Sequence, residues 1–313
     1  MAVLPGLVLA LKALCCILRG NAANTDEETM TDTPAFACDC HLHVFGDPAR
    51  YPPAAQRAYT PVAATLDQWR AMAAPLGLQR LVLVQPSAYG TDNTCMLDAL
   101  RAAGGIARAV AVIDAATQEA DLDAMAALGV VGVRLNLITG VSPDPAAIPA
   151  LLRATASRIA RLGWHLQLLA QGALIEAVAD IIPTLGVPVV FDHMASLHAA
   201  LGPDQPGLHA VLRLLGEGKC WMKVSGADHV ASRRDAPGEA LPIMRALIAA
   251  NPDRVVWGTD WPHIGPLTNA GGGQLVTYLA LDHAALLATL RQAAGAAFAR
   301  VLADNPARLY GWK

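Results

Sequence analysis

Two short stretches near opposite ends of the chain hold the residues best suited to chemistry. Near the start, Cys38-Asp39-Cys40-His41-Leu42-His43 sets two imidazoles at alternate positions. Alternate residues of a strand share a face, so His41 and His43 are expected to project together. Cys38 and Cys40 are expected on the other face, packing against a helical layer. Near the end, the apolar run Val255-Val256-Trp257 breaks into Gly258-Thr259-Asp260-Trp261-Pro262-His263, which supplies a carboxylate and another imidazole. A carboxylate among imidazoles can move protons, and the same set can hold a metal ion. One site drawn from both ends of a chain is what a closed barrel of parallel strands would deliver.

The elements needed to position these residues follow from the apolar pattern. After the first strand, apolar runs recur at Arg80–Pro86, Ala109–Asp114, Val130–Asn136, His165–Ala170, Val187–His193, Cys220–Ser225 and Val255–Asp260. Helical stretches separate them: Thr65–Leu76 with Thr65 as N-cap, Asp92–Ala103, Gln118–Gly129, Pro145–Gly163, Ala173–Leu185, Gly207–Gly216 and Pro237–Asn251. A final helical region, Asp282–Leu302, leads into Asn305–Tyr310. Buried parallel strands read as continuous apolar runs, and alternation with helices implies βαβ units. Eight such units predict an α/β fold, a single-domain (β/α)8 TIM-type barrel spanning residues 30–313, with no second domain.

In such a barrel the site lies at the C-terminal ends of the strands. The polar residues expected there are His41 and His43, Gln85 and Ser87, Asp114, Arg134 and Asn136, Asp192 and His193, Lys223, Ser225, Asp228 and His229, and Asp260 and His263. Asp114 is equally suited to capping the next helix, and Lys223 could point inward or pack its stem at the wall. His165 begins its strand, and four or five residues at about 3.3 Å each carry it to the opposite end. His198, His209 and His283 are expected at the surface. The run Gly271-Gly272-Gly273 lacks the strand-to-helix spacing of a phosphate-binding motif.

Composition narrows the partners. Among 313 residues, 54% are hydrophobic and the net charge is −3, with no basic block, so nucleic acid is not an expected partner. No stretch has the roughly 18 consecutive apolar residues of a membrane span. The six cysteines contain no CxxC pair, which predicts free thiols and a cytoplasmic protein. Residues 1–29 combine an apolar run with Lys12 and Arg19 in or after it, the wrong order for a signal peptide. They are expected to be a leader, a disordered extension or a gene-start artefact, with translation beginning at Met30.

Taken together, DCHLHVFGDPARYP, VQPSAYGTDN, GVRLN, the strand-six FDH, KVSG and WGTDWPH resemble the amidohydrolase superfamily, and within it the lactonases typified by 2-pyrone-4,6-dicarboxylate hydrolase. The similarity covers nearly all of residues 36–313. It implies hydrolysis of a small acidic lactone by a monomer or small homo-oligomer, with Asp260 as general base and His41, His43 and His193 polarising the carbonyl. Arg134 would hold a substrate carboxylate, and Tyr59, Ser87 and His263 would make further substrate contacts. The resemblance favours no metal, although a mononuclear zinc through His41, His43, His193 and Asp260 is geometrically open. A zinc-dependent decarboxylase or hydratase and a lactone isomerase are the alternatives. Where arginines are expected soon after GVRLN and KVSG, Ile138-Thr139-Gly140 and Asp228-His229 stand, although Arg233 and Arg234 lie close by the second. Fewer cationic contacts point to a substrate with one carboxylate, or a more neutral one.

Overall fold

In the computed structural model the described residues are 33–138, 144–265 and 275–312. The expectations for residues 1–29 and Met30, for Thr139-Gly140 and for Gly271–Gly273 lie outside them. Eight strands, β1 (Cys38–Leu42), β2 (Arg80–Val84), β3 (Ala107–Ala111), β4 (Val130–Asn136), β5 (His165–Leu169), β6 (Val189–Phe191), β7 (Trp221–Lys223) and β8 (Val255–Val256), pair in parallel in sequence order. Backbone hydrogen bonds close the ring from β1 to the segment after β8. Cys40 N donates to Trp257 O at 2.9 Å, Asp260 N to His41 O at 2.8 Å and His43 N to Trp261 O at 2.8 Å. The (β/α)8 barrel is therefore as expected.

The helices are α1 (Leu66–Ala73), α2 (Thr94–Ala103), α3 (Glu119–Leu128), α4 (Ile148–Ile159), α5 (Gly172–Val178), α6 (Leu208–Gly216), α7 (Ala227–Val230), α8 (Leu241–Ala250), α9 (His283–Ala294) and α10 (Asn305–Tyr310). Thr65 caps α1 in a reciprocal box with Gln68, which satisfies two otherwise free backbone donors. Two expected helices are interrupted. The stretch to Leu185 stops at Val178, with a separate turn at Ile182–Thr184 that contains Pro183, since proline disfavours helical backbone before it. The closing stretch breaks at Gly295, whose φ of 50° ends α9 before a π-turn over Arg300–Asp304.

The first strand departs from simple alternation. Its register with β2 runs Asp39↔Leu81 and then Leu42↔Leu83, so Cys40 and His41 together oppose Val82 alone. This extra residue is a bulge. Cys38 and Cys40 consequently face the barrel interior rather than the helical layer. They pack there with Val82, Val84, Val110, Val190 and Val256, contributed from around the ring, and with Tyr310, which plugs the base. Their expected role as packing residues stands, since both are fully buried free thiols. The bulge lets His41 point inward beside Cys40, and His43 follows two residues later.

Candidate active site

The mouth of the barrel is assembled by close approach between β1 and the loop after β8. A Cβ on Gly258 would lie 2.4 Å from the His41 backbone nitrogen, so only glycine lets the two segments meet. The fully buried Asp39 then clamps them. Its carboxylate accepts from Thr259 N at 2.8 Å, Thr259 Oγ1 at 2.6 Å and Trp69 Nε1 at 2.9 Å. The next residue, Asp260, sits at φ 65°, in the left-handed region. After β6, His193, Met194, Ala195 and Ser196 occupy the same region, at φ 45°, 53°, 58° and 51°. Such conformations cost on the order of 1–3 kcal/mol each and persist where the surroundings impose them.

The result is a carboxylate ringed by imidazoles. Asp260 Oδ1 lies 3.6 Å from His41 Nε2, 3.7 Å from His43 Nε2 and 3.7 Å from His193 Nε2. Its other oxygen, Oδ2, is 3.1 Å from His229 Nε2. Burial pushes the Asp260 carboxyl up, but His193, the His229 hydrogen bond and His41 outweigh it and hold the group well below the usual range. His43 is pushed down to about 4, chiefly by burial, and His193 is lowered for the same reason. Burial also lowers His229, but its hydrogen bond to Asp260 prevails and raises it.

Each inner imidazole is oriented through Nδ1. His43 Nδ1 is 2.8 Å from Val84 O, and a carbonyl only accepts, so Nδ1 carries the proton and a neutral His43 presents a lone pair at Nε2. His193 Nδ1 is 3.0 Å from Ser225 Oγ. His41 Nδ1 is 3.2 Å from Lys223 Nζ. An ammonium donates there, which favours the His41 proton on Nε2, while Asp192 Oδ1, 3.3 Å from the same nitrogen, favours it on Nδ1.

Lys223 belongs to a polar layer beneath the histidines. Its Nζ is 2.7 Å from Gln167 Oε1, and Asp192 Oδ2 accepts from Arg134 Nε at 2.9 Å and Gln167 Nε2 at 3.0 Å. Burial raises the Asp192 carboxyl, but His41, Lys223 and Arg134 hold it well below its ordinary value.

A cavity of about 610 Å³ opens above this layer, lined by His43, Tyr59, Ser87, Arg134, His193 and Asp260 among others. His41 is fully buried and does not line the cavity; it lies behind the lining residues, with Nε2 3.6 Å from Asp260 Oδ1. Tyr59 places its hydroxyl against Ser87, and burial pushes that phenol up to about 12. His263 does not line the cavity. It is buried, with Nε2 3.0 Å from His283 Nε2, so His283 is half-buried against a partner rather than free at the surface. His198 and His209 are exposed, as expected. His165 packs edge-on to Tyr310 at the base, 5.6 Å between ring centroids. Asp114 organises the turn before α3 by accepting from Ala116 N and Thr117 N.

The sequence places His229 and Lys223 at the strand ends without giving either a role, and does not single out Gln167. His229 lines the cavity and touches Asp260, while Lys223 and Gln167 secure the floor. Gln167 had a legible signal: a polar residue inside the apolar run His165-Leu166-Gln167-Leu168-Leu169 must find a buried partner.

Comparison with known proteins fits this architecture. The amidohydrolase family model matches residues 38–312. The chain belongs to the amidohydrolase family. Among characterised members, it is 34% identical over 287 residues to the 2-pyrone-4,6-dicarboxylate hydrolase of Comamonas testosteroni, covering 88% of this chain and 90% of that one. It is 31% identical over 286 residues to the 4-sulfomuconolactone hydrolase of Hydrogenophaga intermedia, covering 89% of each. A crystal structure of a candidate 2-pyrone-4,6-dicarboxylic acid hydrolase from Pseudomonas putida superposes with a TM-score of 0.74 at 31% identity, covering 90% of this chain and 99% of that one.

Whether this amidohydrolase site suits a metal turns on His41. By spacing alone the donors could surround one cation. Among the described residues two groups of three have ligand atoms close enough, His41 with Asp192 and His193, and His41 with His43 and Asp260. Both require a lone pair on His41. Where Lys223 engages Nδ1 the ring proton sits on Nε2 and no lone pair is offered, and the buried Nε2 has no hydrogen-bond partner among the described residues. Either group could therefore hold a metal ion only with a lone pair of His41 turned toward it.

Proposed function

We propose that the protein opens a small carboxylated lactone by hydrolysis, with Asp260 as general base and without a metal. The reading is carried by the Asp260 carboxylate, whose Oδ1 faces three imidazole nitrogens at 3.6–3.7 Å while His229 grips Oδ2. An ionised, fixed carboxylate is ready to accept a proton from water. The names of the two characterised relatives, a pyrone dicarboxylate hydrolase and a sulfomuconolactone hydrolase, supply the substrate class.

Water oxygen attacks the lactone carbonyl carbon as Asp260 takes the water proton. Negative charge gathers on the carbonyl oxygen, where His41 Nε2–H and, through its Ser225-linked ring, His193 donate. Collapse of the tetrahedral intermediate breaks the ring C–O bond, and Asp260 returns the proton to the departing oxygen. Neutral His43 presents a lone pair and acts as an acceptor toward the attacking water rather than as a carbonyl donor. Arg134 lines the cavity with one edge tied to Asp192, and the rest of its fork is suited to a substrate carboxylate. Tyr59 and Ser87 flank the same cavity.

The test is a panel of lactones that includes 2-pyrone-4,6-dicarboxylate and 4-sulfomuconolactone, run in ¹⁸O-labelled water. Hydrolysis gives one labelled oxygen in the new carboxylate. An unlabelled product that is itself a lactone would make the protein an isomerase and refute the reading.

A further inference from the structure

We propose that Lys223 is a positioning residue that sets the tautomer of His41 and thereby keeps the HxH pair of β1 from taking up a divalent cation. The inference rests on the metal-free clause of the proposed function and supplies its physical cause. Lys223 is fully buried in the last residue of β7. Its Nζ is fixed from one side by Gln167 Oε1 at 2.7 Å and reaches His41 Nδ1 at 3.2 Å. An ammonium or amine donor on Nδ1 leaves the ring proton on Nε2, and a doubly protonated ring carries one there too. In either state Nε2 enters the site as an N–H.

The competing neighbour is Asp192 Oδ1, 3.3 Å from the same Nδ1. A carboxylate there would pull the proton onto Nδ1 and free Nε2 to bind metal, the arrangement that carboxylate–histidine pairs create around zinc. Asp192 Oδ1 makes no hydrogen bond in the structure, whereas Lys223 does. Lys223 and Asp192 are themselves 3.6 Å apart, so the lysine both neutralises the carboxylate and occupies the nitrogen it would otherwise claim. Removing the lysine hands His41 to Asp192 and converts a hydrogen-bond donor into a ligand.

Two measurements test this. The first needs only the wild-type protein: histidine ¹⁵N chemical shifts, with His41 assigned by loss of its signals in His41→Asn, report which nitrogen is protonated. Protonation at Nε2 is expected, and a neutral ring protonated at Nδ1 overturns the proposal whatever the variants do. The second is zinc titration by calorimetry of wild type, Lys223→Met and Lys223→Arg, each checked for native circular dichroism. Lys223→Met should bind zinc roughly 10- to 100-fold more tightly than wild type, the range by which outer partners tune metal sites. Lys223→Arg, which retains a donor, should stay weak. Equal affinity in wild type and a folded Lys223→Met overturns the role of Lys223 while leaving a metal-free mechanism intact. Tight stoichiometric zinc in the wild type would sink the metal-free reading as well.

Discussion

The two ends of the barrel use the same strands for opposite purposes. At the base, Cys38, Cys40, Val82, Val110, Val190, Val256 and the Tyr310 plug fill the interior with ordinary packing. At the mouth, a few residues further along those strands, the interior holds two carboxylates, three imidazoles, a lysine and an arginine. Left-handed non-glycine backbone gathers at Asp260, His263 and His193–Ser196 on that side. Buried polar atoms without a partner occur at both ends among the described residues, at His41 Nε2 and Asp192 Oδ1 at the mouth and at His165 Nε2 and the Tyr310 hydroxyl at the base. The base contributes stability and the mouth chemistry, a division expected of this barrel. Substitutions at the two ends should therefore separate stability from activity.

The largest effect is expected from Asp260→Asn. It keeps the shape but removes the base, and should lower kcat about 10³-fold with little change in the unfolding midpoint. An equal loss of stability would mean that the carboxylate mainly holds the mouth together. The converse change is Tyr310→Ala, which empties the plug and should cost about 3–5 kcal/mol by denaturant titration while kcat of the folded fraction stays near wild type. Asp39→Asn probes the join between the two ends of the chain. It weakens the clamp on Thr259, and kcat should fall more than about tenfold through a misplaced Asp260, with KM nearly unchanged; a change in KM alone would contradict that role.

The smallest effect is a pH dependence. Burial lowers His43 and His263 at the mouth to about 4, and His165 at the base to about 3. Below the ordinary histidine value of about 6.5, the unfolded chain binds protons that these rings refuse when folded. Stability is thus fully present above pH 6.5 and declines as pH falls toward 4. Equilibrium unfolding across that range should show the slope, and His165→Asn should reduce it without altering the pH profile of kcat. A flat stability curve between pH 6.5 and 4 would contradict the neutral, buried state of these rings.

Much of this was legible in the chain itself. Eight apolar runs, spaced by helices, specify the barrel because strands covered on both faces need no polar alternation. The clustering of His41, His43, His193 and Asp260 follows once the strand ends are aligned. The inward turn of Cys38 and Cys40 was not legible, because a one-residue bulge between Asp39 and Leu42 changes the ladder without changing composition. Nor was the work of Lys223, whose meaning comes from Gln167, Asp192 and His41 on three other strands. The His263–His283 contact joins a strand-end loop to the start of α9, and local pattern carries no information on such a pairing.

The most direct test of the account is the rate of lactone opening by protein dialysed exhaustively against a chelator, with its metal content measured in the same sample. The account predicts an undiminished rate at negligible metal, abolished by Asp260→Asn. Activity that vanishes with the metal and returns on adding zinc would make the histidines ligands and contradict it.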